Sequence, residues 1–125
     1  MRWVYQGIFT ELCGQACVAM VANEKLDNVV NIFCKVSATR PTDVLQALVY
    51  YGIKIGSEHL NKYTKGIKLP KLALVLVKFR GKKVGHWVIY NRGKIYDPSL
   101  GVYPIEQLPD KIGGEIKGYV KLVRP

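Results

Sequence analysis

Between positions 14 and 23 the chain carries Ala16, Val18, Ala19, Met20, Val21 and Ala22, small or apolar side chains on nearly every side of a helical wheel. A helix of that kind is stable only where other elements cover it almost all round, and its small residues let those elements approach closely. The rest of the chain must therefore supply that cover. Leu26, Val29, Val30 and Phe33 recur at helical spacing with Asp27 in the opening turn, which predicts a short second helix. Thr39 to Asp43 then brings a proline and a candidate N-cap ahead of Val44, Leu45, Leu48, Val49 and Tyr51. Gly52 stands where a left-handed C-terminal residue is wanted, so a third helix is expected.

Beyond Gly52 the texture changes. Ile53 and Ile55 alternate with Lys54 as in a short strand, and positions 56–70 read as an irregular, lysine-rich surface segment. Positions 72–77 and 84–90 are apolar β runs joined by an Arg80-Gly81-Lys82-Lys83 turn. After Asn91-Arg92-Gly93 come a third strand over 94–97 and, past the Gly113-Gly114 break, a fourth over 119–123. Helices first and an antiparallel sheet second is the α+β order, and 125 residues suit one domain over 1–125.

No stretch approaches the roughly 18 apolar residues of a membrane span, and the first six residues do not read as a secretory signal. Three cysteines, an odd number, argue against a disulfide framework and for a reducing, cytoplasmic setting. The net charge of +10 favours anionic partners through long-range attraction. Its lysines and arginines (Lys62, Lys65, Lys68 and Lys71, then Lys78, Arg80, Lys82 and Lys83) are dispersed, which reads first as a solvated basic face and second as a site for an acidic or nucleic-acid partner.

Chemistry concentrates at three places. Cys13 precedes the apolar helix, where unpaired amide groups favour a thiolate, and Gly14 leaves room for a substrate carbonyl beside it. Cys17, one turn on, and Cys34, at the end of the second helix, read as packing residues. His86 lies in a strand whose alternation puts His86, Val88 and Tyr90 on one face and Gly85, Trp87 and Ile89 on the other. Turned towards a helix, it would reach a thiol there; otherwise it is a core histidine bonded to a carbonyl. His59, in the polar segment, reads as exposed. Asp97 ends the next strand, close enough across a hairpin to orient an imidazole, or else to accept backbone hydrogen bonds in the turn from Asp97 to Gly101.

Taken together, Gln6, the run Cys13-Gly14-Gln15-Ala16-Cys17-Val18-Ala19-Met20, the run Gly85-His86-Trp87-Val88 and the run Ile95-Tyr96-Asp97-Pro98 resemble the papain-like peptidases of the bacteriocin-processing, double-glycine-leader group. The resemblance runs over 6–101 and includes the order Cys, His, Asp. It implies a papain-like fold, with a central helix opening at the catalytic cysteine and packed on a C-terminal antiparallel sheet. It also implies Cys13 as nucleophile, His86 as base and then acid, Asp97 as orienting residue and Gln6 as oxyanion donor, acting on a peptide or protein substrate without metal or organic cofactor. Gln6 precedes Cys13 by seven positions where the group more often has six, so the intervening segment must bulge, which Gly7 eases. The competing function is an inactive peptidase-like module that binds a protein or nucleic-acid partner through its cleft and basic surface.

Overall fold

The computed structural model describes residues 1–8, 10–33, 39–79 and 85–125. The chain opens with an extended segment and three helices, α1 (Cys13–Ala22), α2 (Leu26–Phe33) and α3 (Pro41–Tyr50). Seven strands follow: β1 (Lys54–Ile55), β2 (Asn61–Lys62), β3 (Leu72–Phe79), β4 (Gly85–Asn91), β5 (Lys94–Asp97), β6 (Gly101–Pro104) and β7 (Gly114–Val123). Between β6 and β7 stand a 3-10 turn (Ile105–Gln107) and a short helix, α4 (Leu108–Ile112). The protein is α+β, with four α-helices and one antiparallel sheet among the described residues. No helix among them is long and apolar enough to cross a membrane.

Local signals account for the helix ends. Arg40 is the N-cap of α3, Pro41 occupies its first turn, and the Asp43 carboxylate accepts the Arg40 N–H at 2.9 Å, satisfying a donor the helix cannot. Gly52 takes the left-handed conformation expected beyond the C-terminus, with φ 83°. α1 is buried from Gly14 to Val21, as a helix without a polar face must be. Its cover comes from α2 and α3 on one side and from the sheet on the other. Leu74, Trp87, Ile89, Val120 and Leu122 pack into the same cluster as Val18, Met20, Val44 and Leu48.

The sheet runs β1-β7-β3-β4-β5-β6, with β2 also paired to β7. Its second face holds a separate cluster in which Val75, Val77, Val88, Ile95 and Tyr103 meet Leu108 and Ile112 of α4. The alternation read from β4 therefore holds, but its polarity is the reverse of one that would turn His86 towards α1. Trp87 and Ile89 face the three helices, while Val88 lies in the α4 cluster and the His86 ring lies against Phe79 on that side (centroids 5.6 Å apart).

Other differences from the sequence reading have plain causes. β7 begins at Gly114, five residues before the expected start, because it pairs with β3 from Lys121 back to Gly114 across a register shift at Leu76/Val77. β2 lies within the polar segment and exists through its pairing with Tyr119 and Gly118 of β7, so its own residues carry no apolar signature. β6 pairs with β5 and, like α4, was not expected. The Arg80 to Lys83 turn, Val84 and Cys34 lie outside the described residues.

Candidate active site

Three elements converge at one end of β4. β5 pairs with β4 only through residues 89–91, so the lower part of β4, including His86, has no β5 partner on that edge. Cys13, the first residue of α1, meets the imidazole there, which is how a histidine on the far face still neighbours the helix terminus. The N-terminal segment runs past the end of β5, held by the Trp3 indole N–H donating to the Asp97 carbonyl at 2.6 Å and the Gln6 N–H donating to the Pro98 carbonyl at 3.0 Å.

His86 Nε2 lies 2.8 Å from Asp97 Oδ1 in a buried contact. An ionised carboxylate only accepts, so Nε2 is the donor and Nδ1 is left for the Cys13 thiol, the other hydrogen-bonding neighbour of the ring. Burial opposes a charge on His86, but the hydrogen bonds to Asp97 and Cys13 and the charge of Asp97 outweigh it, raising its pKa from 6.5 to about 9. The imidazolium is thus the favoured form at neutral pH.

Asp97 is fully buried, and its hydrogen bonds favour its ionised form. Oδ1 also accepts the backbone N–H groups of Ser99 (2.9 Å) and Leu100 (3.3 Å), and Oδ2 accepts the Tyr103 hydroxyl at 2.8 Å. Burial would raise its pKa; the His86 contact and these donors lower it below the usual carboxylate range. The two roles weighed for Asp97 from sequence are both filled, since one oxygen orients the imidazole and organises the turn. Tyr103, whose phenol is held protonated by burial and by the Asp97 charge, lies on the unexpected strand β6, and nothing in its sequence context marked it.

The head of α1 is left open to an anion. Its N-cap is Leu12, which has no side-chain acceptor, and no acidic residue stands in the first turn. Gly14 has a packing reason as well. A Cβ there would overlap Thr39 Oγ1 and press on Val44 Cγ2 at 3.1 Å, so the glycine admits the segment that leads into α3. Cys17 is buried in the helix cluster; burial, then the nearby Cys13 and Asp97 charges, push its thiol pKa well up.

Gln6 is buried beside this group. Its Oε1 accepts the Ser99 hydroxyl at 2.9 Å and its Nε2 donates to the Thr10 carbonyl at 2.9 Å, which fixes the amide orientation and commits one of its two N–H donors. Gly7 has φ 97°, and the Thr10 hydroxyl donates back to the Gln6 carbonyl at 2.7 Å. Ser99 thus ties Gln6 to Asp97 through two short contacts. His59 is exposed in the β1–β2 connection, where its backbone carbonyl accepts the Ser57 hydroxyl. No group of three or more His, Cys, Asp or Glu side chains among the described residues is arranged to hold a metal ion.

No family model matches the chain, and no curated protein matches its sequence. The chemistry of the site rests on its own geometry.

Proposed function

We propose that this protein is a cysteine peptidase of papain-like fold that hydrolyses a peptide or isopeptide bond through Cys13, His86 and Asp97, with Gln6 as an oxyanion donor. The observation that carries the reading is His86 held between a buried, fully bonded Asp97 and a cysteine at an uncapped helix terminus. A structural histidine–aspartate pair needs no thiol on its second nitrogen, and a structural cysteine needs no imidazole.

In the proposed cycle His86 is the imidazolium and holds the Cys13 proton at Nδ1, while Asp97 stabilises it through Nε2–H. The Cys13 sulfur attacks the substrate carbonyl carbon, the C–S bond forms, and the carbonyl π electrons move to oxygen. The second Gln6 N–H and the backbone N–H of Cys13 receive that oxyanion. Collapse of the intermediate breaks the C–N bond, and the imidazolium proton leaves with the amine. Water, deprotonated by the now neutral His86, attacks the thioester, the C–S bond breaks with its electrons leaving on the Cys13 sulfur, and the imidazolium is restored beside it.

Alkylation at neutral pH with peptide mapping tests the assignment. Iodoacetamide should modify Cys13 far faster than Cys17, which is buried with a raised pKa, and His86→Ala should slow the Cys13 reaction at least tenfold. Equal labelling of both thiols, or His86→Ala leaving the rate unchanged, would remove the basis for a peptidase.

A further inference from the structure

The end of the sheet remote from the triad carries a second feature. Lys71, Leu72, Asn91, Arg92, Lys121 and Arg124 line most of a groove of about 780 Å³ across the ends of β7, β3 and β4, and no acidic residue lines it. None of its four cations has a carboxylate partner among the described residues; Arg124 donates one N–H to the Met20 carbonyl at 3.4 Å. Lys54, paired with the groove residue Val123 across β1 and β7, extends the row by one strand. His86 and Asn91 are five residues apart along β4, about 17 Å, so the groove and the triad are separate.

The groove has a feature that folding alone does not require. Arg92 and Gly93 form the two-residue β4–β5 turn with φ 48° and 88°. Asn, Asp or Gly is favoured at the first of these positions, where a long side chain costs backbone strain. An arginine stands there, its backbone N–H donating to the Lys71 carbonyl at 2.8 Å, and it lines the groove.

We propose that this groove binds the phosphodiester backbone of a nucleic acid without regard to base sequence. Four neighbouring strands about 4.8 Å apart place the cations in a row about 15 Å long, which matches several successive phosphates better than a single one. The surface is concave, so a linear polyanion reaches its cations more readily than the plane of a bilayer does. No aromatic side chain lines it, so bases are not stacked and only backbone charge is recognised. The lysines of the polar segment, Lys62, Lys65 and Lys68, lie outside it.

Fluorescence anisotropy with a fluorescein-labelled 15-nucleotide mixed-sequence DNA, between 50 and 200 mM salt, tests this. Two variants each remove three positive charges: Lys71→Gln/Arg92→Gly/Lys121→Gln in the groove and Lys62→Gln/Lys65→Gln/Lys68→Gln in the polar segment. Each lost phosphate contact should weaken binding about fivefold at 0.1 M salt and reduce the log–log salt slope by about 0.7. The groove variant should therefore lose about a hundredfold and the segment variant less than threefold. Arg92→Gly alone relieves the positive φ, so it folds at least as well as the parent and should still bind about fivefold more weakly. The inference is overturned if the parent does not bind at 50 mM salt, if the two triple variants lose equally, or if Arg92→Gly binds like the parent. It is also overturned if vesicles of anionic phospholipid or poly-glutamate compete as well as unlabelled DNA.

Discussion

Replacing Asp97 by Asn keeps the shape of the site and removes its negative charge, which makes it the sharpest probe of how His86 is held. With Asp97 in place, the His86 pKa stands at about 9 against an ordinary 6.5, corresponding to about 3 kcal/mol in favour of the folded imidazolium. Because the folded value is the raised one, this stabilisation is complete below pH 6.5 and is lost as pH rises through 9. The unfolding free energy of the parent should thus fall by about 2 kcal/mol between pH 7 and 9.5 from this group alone. Asp97→Asn should flatten most of that fall, since only the Cys13 contact remains against burial, and should lower the imidazole midpoint by about one to three pH units. The chain has two histidines, so proton NMR shows two imidazole C2–H signals, and His59→Gln assigns the one belonging to His86. Urea unfolding at the two pH values supplies the second readout. A parent His86 that titrates near 6.5, or a midpoint that Asp97→Asn leaves in place, would refute the account of the site.

Three further outcomes follow from particular contacts. Tyr103→Phe removes a buried hydrogen bond to an ionised carboxylate and should destabilise the fold by about 1.5–3 kcal/mol in urea unfolding, while moving the His86 midpoint less than Asp97→Asn does. Gln6→Ala should lower kcat on any substrate that the Cys13 site turns over by about a hundredfold to a thousandfold with KM little changed, and Ser99→Ala, which frees the Gln6 amide, should fall between it and the parent. Gly14→Ala should destabilise by about 1–3 kcal/mol through overlap with Thr39. Gly14→Ala/Thr39→Ala should recover at least half of that loss in urea unfolding, because the Thr39 hydroxyl has no hydrogen-bond partner among the described residues.

The sequence by itself determined the elements whose causes are local. The all-round apolar run can only be a buried helix, Pro41 and Gly52 bound α3, and the alternation of β4 sorts its side chains onto two faces, all of which depend on residues a few positions apart. Cys13, His86 and Asp97 stood out for the same reason, each marked by its immediate neighbours, whereas Gln6 was named only through the family resemblance. Tertiary structure decided what depends on distant pairing. β2 and the first half of β7 have polar or broken sequences and become strands because a partner strand offers hydrogen bonds. Which face of β4 the helices cover was not legible either, since alternation fixes that two faces differ but not which one meets α1. His86 reaches Cys13 because β5 is too short to cover the lower edge of β4. Tyr103 meets Asp97 only after the chain has turned back from β5 into β6, and Ser99 meets Gln6 only because the N-terminal segment runs past the end of β5, so neither contact could be read from spacing along the sequence. Local physics wrote the parts, and the pairing of strands far apart in sequence set the distances between them.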